Sequence, residues 1–375
     1  MNALSLRQRI LEEIQRNGPM PFSRYMELCL YEPGLGFYER GEEIFGKAGD
    51  FYTSSDVHAV FGRLLARQFE EMWRALGSPP RVEIIELGPG RGLFARDVLD
   101  WSRQKFPEFF RALHYRLVER SAALRTQLAE RLKESIAEGK ASIAEDLAAS
   151  AAENVLLFAN EFLDALPVEV IGDHGLLQLA LRDGTLTETF TPVTREVQEY
   201  LDRYSVIPEA GERVEAGLAA MEWMRRLATA VSRGFVVLVD YGYRREELVA
   251  GRHRGTVVAA RQHQLSRNPY EAPGEQDITA HVNFTAVAAA GEAAGLKTLG
   301  LVTQSQFLMG IGEANQFADA FEECCPPLPE DQAKVSLQLK HLVTPAGMGE
   351  NFQVLVMGRG VDAANLSGLK FSRPT

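Results

Sequence analysis

Apolar positions along this chain follow two periods, and their alternation predicts the elements. Leu4, Ile10, Leu11 and Ile14 recur at helical spacing among charges until Asn17-Gly18-Pro19 interrupts them, so residues 1–31 predict two helices around a turn. Helical spacing returns from Val57 to about Leu76. From Arg81 onward, short apolar runs take over at Val82–Leu87, His114–Glu119, Ala141–Ala144, Val155–Asn160 and Phe235–Asp240, with helical periodicity between the first few. Strands alternating with helices predict a mostly parallel sheet, helices on both faces and right-handed crossovers. The gap between Asn160 and Phe235 is too long for one crossover. It holds strand-like Val168–Ile171 and Leu176–Leu181, a turn at Asp183-Gly184 and a helix over Arg213–Val231, which predicts an inserted α+β subdomain. The irregular stretch His263–Asn283 predicts a lid or binding loop, and Phe352–Met357 a last edge strand. The expected organisation is an N-terminal helical segment with a covering loop over 1–78, an α/β core over 79–167 and 232–358, an inserted subdomain over 168–231 and a tail over 359–375.

The first core strand runs into Glu86-Leu87-Gly88-Pro89-Gly90-Arg91-Gly92, and helical spacing resumes at Leu93-Phe94. A strand, a glycine-rich turn and a helix form the first unit of a nucleotide-binding α/β fold. Glycine suits such a turn because the backbone bends sharply and lies against a ligand, with no room for a Cβ. A dinucleotide fingerprint needs a third glycine at position 93, where this chain has Leu93, so a dehydrogenase is disfavoured. Pro89 also removes an N–H that a pyrophosphate would require. Glu86, two residues before Gly88, suits a ligand with a cationic amino acid part. The pattern Glu86-x-Gly88-x-Gly90-x-Gly92 therefore predicts S-adenosylmethionine as cofactor in a Rossmann-like class I methyltransferase core.

Acids at the ends of successive strands extend this reading. Glu119 closes the second strand, where a carboxylate can accept both ribose hydroxyls, although an acid before a helix is also ordinary surface chemistry. Glu145-Asp146-Leu147 follow the third strand, where Asp146 can meet the adenine amino group or simply face solvent. The fourth strand stops at Asn160-Glu161-Phe162-Leu163-Asp164-Ala165-Leu166-Pro167. Methyl transfer is an in-line displacement from a sulfonium, so a site must chiefly align and desolvate donor and nucleophile. The Asn160 carbonyl, Glu161 and Asp164 are the groups able to orient a nitrogen nucleophile; Asn160 and Asp164 equally read as caps of the turn. Asp240-Tyr241-Gly242 ends the fifth strand as a substrate mouth or a structural turn. In Gly49-Asp50-Phe51-Tyr52-Thr53-Ser54-Ser55-Asp56, a cap at Ser55 or Asp56 leaves Tyr52 and Thr53 to close over a cofactor, where an aromatic face can attract a sulfonium.

Composition narrows the partners. A net charge of −11 argues against phosphate contacts and hence against nucleic acid, and Arg244, Arg245, Arg252 and Arg254 read as a solvated loop. Cys29, Cys324 and Cys325 make no disulfide framework, and the seven histidines show no ligand spacing, so no metal is expected. Without a signal-peptide core, transit composition or apolar run of membrane-spanning length, the expected location is the cytoplasm.

Together Gly49-Asp50-Phe51-Tyr52-Thr53-Ser54, Glu86 to Gly92, Asn160 to Pro167 and Asp240-Tyr241-Gly242 resemble, in order and context, the MidA family of class I methyltransferases. The resemblance runs from about residue 5 to residue 358. It implies the Rossmann-like methyltransferase fold, S-adenosylmethionine as donor and a protein partner from a respiratory complex, such as an NADH dehydrogenase subunit. In the mitochondrial member it implies symmetric dimethylation of an arginine. A guanidinium is a poor nucleophile that paired carboxylates can bind bidentately, and Glu161 with Asp164 or Asp240 would supply them. The chain reads as a bacterial member. A methyltransferase acting on a small amine or hydroxyl compound remains the alternative, as does a non-catalytic assembly factor; the intact glycines speak against the latter.

Overall fold

The computed structural model describes residues 5–39, 59–148, 152–261, 264–321, 329–344, 348–361 and 366–372. The chain divides into two compact units: residues 1–51, 163–224 and 242–290 form one, and residues 52–162, 225–241 and 291–375 the other.

The second unit holds the parallel sheet. Its strands are β1 (Val82–Leu87), β2 (Leu113–Val118), β3 (Ala141–Ala144), β4 (Asn154–Asn160), β5 (Arg233–Tyr243), β6 (Lys297–Thr303) and β7 (Phe352–Arg359). They lie in the order β3-β2-β1-β4-β5-β7-β6. The first five pair in parallel, while β7 is antiparallel to both β5 and β6. Strands buried on both faces read as continuous apolar runs, as β4 does with Val155–Ala159 all buried. The helix Ala59–Ala75 packs beside the helix Leu93–Lys105. Beneath the first glycine turn, Phe94 stacks on Phe158 at 4.4 Å between ring centroids, and Phe69 meets both rings edge-on. Sheet growth reverses direction between β1 and β4, the crevice where open α/β sheets bind ligands.

The first unit is built on an antiparallel sheet in which Gly175–Arg182 pairs with Thr185–Thr191, Glu169–Gly172 and Met20–Pro21, and Arg213–Ala216 pairs with Glu169–Gly172. Asp183 and Gly184 turn its main hairpin with φ of 52° and 73°, the left-handed pair that an Asp-Gly turn supplies. The helices Leu6–Asn17 and Phe22–Tyr31 contribute Ile10, Tyr25, Met26 and Cys29 to its core.

Several expectations are corrected. Residues 213–231 are not one helix: Arg213–Ala216 is a strand, because its buried Val214–Ala216 pair with the sheet, and the helix starts at Leu218 beyond Gly217. The strand at Phe352 is interior rather than an edge, since Lys297–Thr303 pairs on its far side. The stretch 263–283 contains the short strands Gln264–Ser266, Asp277–Thr279 and Val282–Asn283. The units also differ from the expected boundaries. The helix at Ala59 belongs with the parallel sheet, and residues 242–290 belong with the antiparallel one. Among the described residues no helix is long and apolar enough to cross a membrane.

Candidate active site

The parallel register aligns the ends of the central strands. Leu87 lies opposite Val118 on one side and Ala159 on the other, and Asn160 lies opposite Val239. Glu86, the glycine turn, Glu119, Asn160, Glu161 and Asp240 consequently occupy one edge of the second unit.

The glycine turn has a geometry that strongly favours glycine. Gly88, Gly90 and Gly92 have φ of 58°, 48° and 70°, all left-handed. The Gly88 N–H donates to the Val118 carbonyl at 3.2 Å, and the Gly92 N–H to the Pro89 carbonyl at 2.8 Å. A Cβ on Gly88 would meet the Phe162 ring at 3.1 Å, and one on Gly92 would strike Leu128 at 2.6 Å. Among the described residues no side chain caps the helix that starts at Leu93, and its first N–H groups and positive dipole end face the turn. Glu86 is 4% exposed and accepts a 2.8 Å hydrogen bond at Oε2 from the Tyr115 hydroxyl. Burial pushes its carboxyl up to about 8, against the opposing pull of the Tyr115 hydrogen bond. A left-handed backbone cradle beside a buried acid fits the amino acid part of S-adenosylmethionine.

Glu119 follows β2 directly, is half-buried, and accepts the Ser121 N–H at 2.7 Å. Asp146 lies beyond β3, largely exposed, and takes the Leu147 N–H at 2.8 Å and Arg226 at 2.9 Å. Tyr52 and Thr53 lie outside the described residues.

At the end of β4, Asn160 Nδ2 donates to Glu161 Oε1 at 2.9 Å, while Asn160 Oδ1 is buried with no hydrogen-bond partner among the described residues. Glu161 has φ of 50°, a left-handed conformation that costs a non-glycine residue about 1 kcal/mol. Asp240 holds that conformation. It is 1% exposed, and its two carboxylate oxygens accept the Phe162 N–H at 3.2 Å and the Tyr241 N–H at 2.9 Å. The Glu161 N–H meanwhile donates to the Val239 carbonyl at 2.9 Å. Glu161 and Asp240 are thus brought together through one turn.

Asp164 falls in the first unit, 3% exposed, where its carbonyl accepts the Ala280 N–H at 2.9 Å. There Tyr31 stacks on Tyr38 at 5.6 Å, the Tyr38 hydroxyl donates to Asp277 Oδ1 at 2.8 Å, and Tyr31 donates to the Ala165 carbonyl at 2.9 Å. Burial and then Asp277 raise the Tyr38 phenol well above its ordinary range. Sequence reasoning gave no role to Tyr115, Phe162, Tyr38 or Asp277. Only the period-two spacing of Tyr115 and Leu117 along β2 hinted that Tyr115 shares a face with Glu86, and the aromatic loop at 31–38 hinted at Tyr38.

Residues 64–302, more than half of the chain, match a family of S-adenosyl-L-methionine-dependent methyltransferases. The mitochondrial protein arginine methyltransferase NDUFAF7 homolog of Drosophila melanogaster is 29% identical over 405 residues, covering 96% of this chain and 86% of the relative. The mitochondrial protein arginine methyltransferase NDUFAF7 of Mus musculus is 27% identical over 384 residues, covering 93% and 83%. A crystal structure of a candidate methyl transferase from Burkholderia thailandensis bound to S-adenosyl-homocysteine superposes with a TM-score of 0.87 at 28% identity, covering 99% of this chain and 95% of that one. The glycine cradle, the buried acid and these likenesses agree, and the chain belongs to the MidA type of S-adenosylmethionine-dependent methyltransferases.

Proposed function

We propose that this methyltransferase acts on an arginine side chain of a protein, with a subunit of a respiratory NADH dehydrogenase as the first substrate to try. The observation that carries the reading is Glu161, an acid held with φ of 50° at the end of β4. Strain of that kind clusters where a side chain must be aimed. Bound S-adenosylmethionine supplies an electrophilic methyl on a sulfonium. Gly88, Gly90 and Gly92 present backbone to it, Glu86 receives its ammonium group, and Glu119 and Asp146 take the ribose and adenine. Glu161 accepts N–H groups of the guanidinium and draws positive charge away from the attacking nitrogen. The Asn160 carbonyl is a further acceptor for that group. Asp240 positions Glu161 through the Phe162 and Tyr241 N–H groups. As the nitrogen–carbon bond forms and the sulfur–carbon bond breaks, the nitrogen sheds one proton, which Glu161 accepts and passes to solvent. The names of the Drosophila and mouse relatives support arginine as the acceptor.

The test is transfer of isotopically labelled methyl to purified NADH dehydrogenase subunits, with the modified residue located by mass spectrometry. Label on an arginine that disappears when that arginine is replaced by lysine supports the reading. Label confined to small metabolites would replace it with the metabolite alternative.

A further inference from the structure

Glu86 is anchored in a way its place in the glycine motif does not require. In the register of β1 against β2, Ile84 lies opposite Tyr115 and Glu86 opposite Leu117, so the Tyr115 ring reaches diagonally along one face of the sheet. Tyr115 is fully buried, and its hydroxyl donates to Glu86 Oε2 at 2.8 Å. From β4, the residue opposite Glu86 is Phe158, which brings no charge. Among the described residues the only titratable group acting on Glu86 is Tyr115, and no cation offsets the burial of the acid. Two consequences follow from elementary electrostatics. A carboxylate buried without a cation prefers to hold its proton, and a phenol hydroxyl bonded to one oxygen counters that preference by stabilising the ionised form.

We propose that Tyr115 is a positioning residue for the cofactor, whose hydroxyl orients the Glu86 carboxyl and eases its ionisation when a cation binds, and that cofactor affinity is consequently linked to a proton released by Glu86. The inference rests on the reading that Glu86 receives the ammonium group. Burial pushes the Glu86 carboxyl up to about 8, which favours its protonated form at pH 7 while no cation is bound. It must lose that proton, which leaves as buffer acid, before it pairs with a cation. Affinity should therefore rise with pH up to that midpoint and then level, by up to tenfold per pH unit below it.

The experiment is isothermal calorimetry of the full chain with S-adenosylmethionine from pH 6 to 9, repeated at pH 7 in buffers of different ionisation heat. Wild type should release protons on binding cofactor at pH 7, and fewer as the pH rises. Tyr115→Phe removes only the hydroxyl, with thermal melting to check folding. It should weaken binding about tenfold at pH 7 and move the midpoint upward, because a hydrogen bond to a charged group has been lost. Glu86→Gln should bind weakly with neither pH dependence nor proton release. Unchanged affinity in Glu86→Gln would overturn the role of Glu86 and the proposal with it. A weakened Glu86→Gln beside a Tyr115→Phe with the wild-type midpoint would overturn the role of Tyr115 alone. Neither result depends on the methyl acceptor, so failure of the arginine reading is distinguishable from failure here.

Discussion

Two turns leave the same edge of the parallel sheet with the same backbone problem and opposite solutions. After β1 the chain turns through Gly88, Gly90 and Gly92, all left-handed. After β4 it turns through Glu161, also left-handed, with a full side chain. The first turn gives up side chains so that backbone can lie against a ligand. The second accepts strain so that a carboxylate stands at the turn, with Asp240 holding two N–H groups to keep it there. Glycine marks where the backbone is the working part, and a strained acid marks where the side chain is.

Substitutions can break this contrast. Gly90→Val should have the largest effect. A branched side chain at φ of 48° strains the turn and occupies the ligand's space, so calorimetric binding of S-adenosylmethionine should vanish. Retained binding would show that the turn does not form the cradle. Glu161→Gln should leave cofactor affinity intact and lower turnover by ~100-fold or more, because the neutral amide cannot draw charge from the nucleophile or take its proton. Full turnover in labelled-methyl assays would move the role elsewhere. Asp240→Asn leaves one of the two N–H groups facing an amide donor. It should cost about 1–3 kcal/mol in thermal melting and lower turnover by about tenfold with cofactor binding unchanged. The subtlest comparison is Glu161→Gly against Glu161→Ala. Both lose the Asn160 hydrogen bond, but only glycine relieves the backbone, so the glycine variant should be more stable by about 1 kcal/mol. An alanine variant at least as stable would mean that the turn stores no strain.

Much of the parallel core was legible because strands buried on both faces leave uninterrupted apolar runs. Val82–Leu87 and Ala141–Ala144 were read to the residue. Lys297–Thr303 was missed because Gly300 and an irregularity between Thr298 and Gly300 break its alternation, and without it Phe352 read as an edge. Arg213–Ala216 is too short to show a period of its own and merged with the helix that follows. At the site, glycine and acid identities were visible in the motif, whereas their relations were not. Nothing local to Glu86 names Tyr115, 29 residues away, and nothing local to Glu161 says that Asp240 will hold its turn. Asp164 lies only three positions after Glu161, yet the chain crosses into the antiparallel unit between them.

The place of β7 has a consequence for synthesis. It emerges last of the sheet's strands and yet separates β5 from β6. While a ribosome is still translating residues 304–351, β6 has been made without its neighbour, and the apolar run Phe235–Val239 of β5 presents an open, unpaired edge. Closure waits for Phe352–Arg359 to slide between two strands already made. Nascent chains halted before residue 352 should therefore be protease-sensitive and chaperone-bound, and chains released beyond residue 359 should not.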